Sequence, residues 1–253
     1  MSASLFAQAM RELFHYHNAW PAQYYEERLA IIYGKWLRAG DHAIDVGAHN
    51  GFHASQILDC IGPNGQLTCV EPLPEIFAQL KAVLHGRCQN VKFFNGALSS
   101  TEGKVTFRRA VGLPGESGLK ERQRYGLPDI KVEEITVECR RLDDLAADCE
   151  ALQYIKIDTE GAELTILESG AHIMAELRPV ISVEWGSDTY VSYGHSARDL
   201  FVFARSRGYS VFDLFINMVR SEREWLEVSD RASWDYVLVP DEKVAAFVYA
   251  QTT

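Results

Sequence analysis

The spacing of apolar positions changes near residue 40. Before that point they recur every three or four residues, the period of a helix with one buried face. Tyr25, Leu29, Ile32, Tyr33, Trp36 and Leu37 share such a face within 21–38. Pro21 suits a first helical turn and Gly40 lies just past the last one. Residues 3–16 read as an earlier helix. From residue 42 onward, short apolar runs alternate with amphipathic stretches. The runs 42–46, 66–71, 91–95, 153–158, 180–184, 209–214 and 234–239 predict strands, and 51–61, 74–85, 162–169 and 196–207 predict helices. Strands alternating with helices imply a mostly parallel sheet with helices on both faces. The expected fold class is therefore α/β and Rossmann-like, with an N-terminal helical extension over 1–40 and one domain over 41–253.

The alternation breaks once. Short strands are expected at 105–108 and 135–139, and between them 108–134 reads as a Gly- and Pro-rich insert. Loops this long inside a domain commonly serve as lids. The insert carries Arg108, Arg109, Lys120, Arg122, Arg124 and Lys131, so it is expected to cover a ligand and to meet an anionic or sugar-like molecule.

Chemistry-bearing residues gather where the expected strands end. The first strand runs into Asp45-Val46-Gly47-Ala48-His49-Asn50-Gly51. A glycine turn there lets backbone approach a ligand, and the following helix N-terminus adds amide donors. The run lacks the third glycine of the dinucleotide fingerprint, and Asp45 is ill suited to a pyrophosphate but suits the amino-acid end of S-adenosylmethionine. Glu71 and Pro72 end the second strand, where an acid can accept both ribose hydroxyls. Asn95 ends the third strand in Asn-Gly-Ala-Leu-Ser, where it and the backbone that follows can meet an adenine edge. Asp158 ends the next strand, followed by Glu160 and Glu163 at a helix start. Glu184 and Trp185 end the strand after that, and His195 precedes a helix.

Composition narrows the function. The chain has 253 residues, 47% hydrophobic and 24% charged, with a formal net charge of -10. That is the composition of a folded domain, and the acidic balance argues against a nucleic-acid partner. Five cysteines without C-x-x-C spacing suggest free thiols in a reducing compartment. Arg11 and Glu12 interrupt the first apolar stretch, and no apolar run approaches membrane-spanning length, so a cytoplasmic protein without a membrane partner is expected.

Several of these segments together resemble the FkbM-type methyltransferase family: DVGAHNG, VEP, NGALS, ITVECRRLDDL and KIDTEGAELTILESGA, within Ile44 to about Gly186. The resemblance implies a seven-stranded methyltransferase sheet, S-adenosylmethionine as methyl donor, and usually an oxygen acceptor on a small molecule or glycan. By that pattern Asp45 and Gly47 line the methionine end, Glu71 takes the ribose, Ala97 sits near the adenine and Asp158 near the sulfonium. His49 stands where the family usually has Asn, and Asn50 takes the variable place. Asp158, Glu160, Glu184 and His195 are the candidates for an acceptor-side base. No metal is expected, because no compact metal-binding loop is present, although Asp158, Glu160 and Glu184 offer oxygen ligands. A homodimer through the N-terminal helical face, a catalytically silent cofactor-binding module and a dinucleotide-dependent oxidoreductase are the alternatives.

Overall fold

The structure is a computed structural model, and it describes residues 22–87, 90–121, 130–229 and 234–252. The expected helix at 3–16, Pro21, and Arg122 and Arg124 of the insert lie outside the described residues. The first described helix is α1 (Ala22–Trp36). Three βα units follow: β1 (His42–Val46) with α2 (Phe52–Ile61), β2 (Gln66–Val70) with α3 (Pro74–Val83), and then β3 (Val91–Phe94). After the insert come β7 (Tyr154–Ile157), α5 (Glu163–Ser169), α6 (Ala171–Glu176) and β8 (Val180–Glu184). The chain continues through α7 (Ser187–Tyr190), α8 (Ala197–Ser206), β9 (Tyr209–Asp213), β10 (Met218–Val219), α9 (Glu222–Val228), β11 (Asp235–Pro240) and α10 (Val244–Thr252).

These strands form one sheet in the order β10-β9-β11-β8-β7-β1-β2-β3. Pairing is parallel from β3 to β8, whereas β11 runs antiparallel between β8 and β9. The seven expected strands are all present, and β10 adds a two-residue edge that no apolar run signalled. Strand alternation divides the core in two. Ile44, Val46, Ile155, Ile157, Ile181 and Val183 face α5, α6 and α8. Ala43, Leu67, Tyr154, Val180 and Val237 face the other way, against Leu29, Ile32 and Tyr33 of α1, Ile57 of α2 and Phe247 of α10. The apolar stripe of α1 is thus core, with Leu29, Ile32 and Tyr33 each only 1% exposed.

The insert is shorter than its composition suggests, because strand occupies described residues at both of its ends. Strand β5 (Gly103–Ala110) runs past Arg108, and β6 (Val132–Arg140) begins before Glu134. They pair antiparallel from Gly103↔Cys139 to Ala110↔Val132. Residues Gly96–Leu98, just past the expected third strand, form a separate strand β4 pairing parallel with β6. This second sheet, in the order β4-β6-β5, packs Phe107, Val137 and Cys139 against Leu73 and Ile76 beside α3.

Candidate active site

In an open parallel sheet ligands bind beyond the carboxyl ends of the strands, where neighbouring connections diverge to opposite sides. Here that point lies between β1, which continues to β2, and β7, which continues to β8. A cavity of about 480 Å³ opens there. Ten of the expected site residues line it: Asp45, Gly47, His49, Asn50, Glu71, Pro72, Ala97, Asp158, Glu160 and Glu184. Among the lining residues are also Phe107, Pro114, Ser117 and Leu119 of the insert, and Gln23 and Glu26 of α1.

Asp45 and Lys156 are register partners on adjacent strands, so their side chains leave the sheet on the same face. Asp45 is fully buried, and neither carboxylate oxygen has a hydrogen-bond partner among the described residues. Burial pushes its carboxyl above the usual range, with Lys156 opposing. An orphaned buried acid in a cavity wall is costly. It fits the ammonium of an amino-acid moiety, which would supply the missing donors. Burial also works against the Lys156 ammonium, but Asp158 and Asp45 outweigh it and hold the proton more tightly than usual.

The turn after β1 departs in detail from the sequence reading. Gly47 has φ +78°, and a Cβ there would come within 1.8 Å of the Asp158 carbonyl oxygen. Glycine is required because the chain leaving β7 passes against it, not to expose its amide. The Gly47 and Ala48 N–H groups both donate to the Val70 carbonyl, and the His49 N–H to Glu71 Oε2. These loop amides are therefore spent inside the protein. His49 takes a left-handed conformation, φ +46°, as Asn would, so the substitution keeps the turn. Gly51, φ +89°, caps α2 and faces Leu80 and Val83 of α3 instead of the cavity.

Glu71 is 5% exposed. One oxygen accepts from the His49 N–H at 3.0 Å and the other from the Leu73 N–H at 2.8 Å. Those two bonds fix the carboxylate while leaving each oxygen further acceptor capacity, as a pair of ribose hydroxyls requires. Burial pushes its carboxyl up to about 7 against the pull of those amides. Asn95 does not line the cavity. Its amide donates to the Glu71 carbonyl at 2.8 Å and to the Pro72 carbonyl at 3.2 Å, so it braces the turn that presents Glu71.

Beyond β7 the chain turns through Asp158-Thr159-Glu160-Gly161, with Glu160 and Gly161 at φ +58° and +112°. Glu163, fully buried, holds that turn: its Oε1 accepts from the Thr159 N–H, the Thr159 hydroxyl and the Gly161 N–H, all at about 3 Å. The helix-dipole reading of Glu163 thus yields to a bracing one. Asp158 Oδ2 lies 2.9 Å from Lys156 Nζ, and against the effect of burial this contact keeps Asp158 ionised below its usual range. Burial, and then Asp158 itself, raise Glu184 well above the usual range, so the proton of the pair resides on Glu184. Oxygens of Asp158, Glu160 and Glu184 lie within 4.8 Å of one another. Lys156 already supplies this cluster with a positive charge.

Other candidates fall elsewhere. His195 lies away from the cavity lining, its ring 6.0 Å from that of Trp185. Trp185 is fully buried, stacks on Tyr190 at 4.7 Å and donates to the Ala197 carbonyl, so it is core and not a wall of the site. The described cations of the insert are engaged: Arg108 with Glu134, Arg109 with Glu75 and Glu133, Lys131 with Glu133, and Lys120 over the Tyr193 ring. Sequence reasoning missed Lys156, Glu26 and His53. A lysine inside the otherwise apolar run Tyr154–Ile157 was the available signal for the first.

A family model described as the methyltransferase FkbM domain matches residues 45–211. A methyltransferase FkbM from Methylobacillus flagellatus KT has a similar fold, with a TM-score of 0.51 at 15% identity over 79% of this chain and 43% of that one. Aeropyrum pernix fibrillarin, crystallised with natively bound S-adenosylmethionine, aligns with a TM-score of 0.41 at 16% identity, over 84% of this chain and 74% of that one. A protein-L-isoaspartate O-methyltransferase of Methanococcus aeolicus is 33% identical over 69 residues, 26% of this chain, and the match spans 32% of that relative's length. The matched domain defines the class of the chain, a methyltransferase domain, and the chain spans less than half the length of the FkbM structure and of the curated relative it matches. Within that class, the chain belongs to the FkbM methyltransferase family.

Proposed function

We propose that this enzyme transfers the methyl group of S-adenosylmethionine to a hydroxyl oxygen of a small metabolite or glycan. The observation that carries the reading is the pair of carboxyl groups at the ends of β7 and β8, Asp158 held by Lys156 at 2.9 Å with Glu184 beside it in the cavity wall. When bound, the cofactor supplies an electrophilic methyl group. The protein's part is to hold the acceptor in line and to receive its proton. Asp158 accepts the hydrogen bond of the incoming hydroxyl, while Lys156 and the Glu163-braced turn fix its position. A cavity of about 480 Å³ is the size of a site for one drug-sized ligand. The cofactor therefore fills most of it, and the acceptor presents a small group at the mouth.

Transfer from methyl-labelled cofactor to a panel of polyols, glycosides and carboxylic acids tests the reading. The expected product is a methyl ether stable to mild base. A base-labile ester would replace the hydroxyl with a carboxyl acceptor. Asp158→Asn is expected to lower kcat about 10²-fold or more, with S-adenosylhomocysteine affinity by calorimetry changed far less.

A further inference from the structure

Helix α1 lies outside the matched family domain, yet it reaches the cavity through Gln23 and Glu26. Glu26 is not a loose surface acid. Its Oε2 is hydrogen-bonded to His53 Nε2, and His53 Nδ1 lies 3.0 Å from the Tyr33 hydroxyl. Tyr33 and His53 are buried at 1% and 7% exposure, whereas the Glu26 side chain remains 45% exposed. One assignment of protons satisfies the chain: Tyr33 O–H donates to Nδ1, and Nε2–H donates to the carboxylate. Two groups fixed in the core thus hold one carboxylate at the cavity wall. The His53 hydrogen bond outweighs burial and keeps Glu26 ionised, and Lys156 and Asp158 are close enough to act on it electrostatically.

Among the described residues the charge balance on that side is one-sided. Glu26, Asp158 and Glu160 line it as carboxylates, and the one lysine of the lining, Lys156, is engaged by Asp158 among the described residues. An anionic acceptor would meet like charge there, whereas a protonated nitrogen would find an ionised, pre-positioned partner.

We infer that Glu26 is an acceptor-contact residue that selects a hydroxyl-bearing acceptor carrying a protonated amine, such as an amino sugar or an amino alcohol. This rests on the proposed hydroxyl acceptor and replaces the anionic acceptor suggested by the arginines of the insert. No covalent step is assigned to Glu26: it binds the ammonium, and the transferred methyl goes to the neighbouring oxygen.

Ethanolamine and glycolate make a matched pair of probes, each a small alcohol with an opposite charge. Each is titrated into the S-adenosylhomocysteine-loaded protein while the His53 imidazole resonances are followed by NMR. Ethanolamine is expected to shift them saturably and glycolate not. In Glu26→Gln the ethanolamine response should fall at least tenfold, with S-adenosylhomocysteine affinity within twofold of wild type. A response to glycolate, a response to neither probe, or an unchanged ethanolamine response in the variant overturns the inference. If Glu26→Gln does not fold, the two probes on the wild-type protein still decide it. Failure here leaves hydroxyl methylation standing. Conversely, an amine acceptor that binds through Glu26 but is methylated on nitrogen sinks the hydroxyl reading and keeps this one.

Discussion

Glu71 shows how a single side chain ties the fold to the candidate site. Its carboxylate ties the turn after β1 to the turn after β2 through His49 and Leu73, and it faces the cavity. Glu71→Ala removes the acceptor of two backbone amides and, on the proposed reading, of the ribose hydroxyls. Hydrogen bonds to a charged group contribute roughly 1.5–3 kcal/mol, so S-adenosylhomocysteine affinity is expected to fall about tenfold to a hundredfold. Calorimetry reads this directly, and an unchanged affinity would remove Glu71 from the cofactor site. Residues of this kind were legible in the sequence because a strand ends where its apolar run ends, and an acid at that point stands out. Glu26 and His53 were not, because they meet across 27 positions and two helices, a contact no local pattern encodes. Gly47 was legible as essential, but its reason was misread: the obstacle is the Asp158 carbonyl, which comes from a strand more than a hundred residues away in sequence.

At the level of elements, α1 is a structural part of the domain. Its buried face joins the layer that α2 and α10 lay on the sheet, and its polar edge supplies Gln23 and Glu26 to the cavity. Leu29→Ala or Ile32→Ala is expected to cost about 2–5 kcal/mol, measurable by urea denaturation, because each side chain is 1% exposed. A loss below about 0.5 kcal/mol, the size of a surface change, would show that α1 rests on the domain without stabilising it. The periodicity of 21–38 announced this helix well. Strand β4 escaped notice because three residues are too few for a period, and it joins β6, not the main sheet. The insert looked like loop because its glycines and prolines drew attention from the alternation that pairs Val105 with Val137 and Phe107 with Ile135.

Taken as a whole, the molecule gathers acids around one end of its sheet. Burial pushes Glu71 and Asp235 up to about 7 and raises Asp45, Glu163 and Glu184 as well. Unfolded carboxyls titrate near 4, so between roughly pH 4 and 7 the folded state binds more protons than the unfolded chain. The stability contributed by these groups is full below that window and is lost as pH rises through about 7. Glu26 and Asp158, held below their usual range, act in the opposite direction, their contribution being lost on acidification. Without ligand, Tm is expected to fall between about pH 5 and pH 8, and Asp235→Asn should flatten the slope. A Tm that climbs over that range would show that the buried acids are not the dominant titrating groups.

The antiparallel strand β11 sets an order of events for a chain emerging from the ribosome. It lies between β8 and β9, so β9, with α8 packed on it, has no neighbour on its inner side until residues 235–240 arrive. Until residues 235–240 have emerged and paired, the segment from Tyr209 to Val219 carries an open strand edge that another chain can pair with. A chain cut before Asp235 is therefore expected to expose that edge and to associate with other chains more readily than the full chain does.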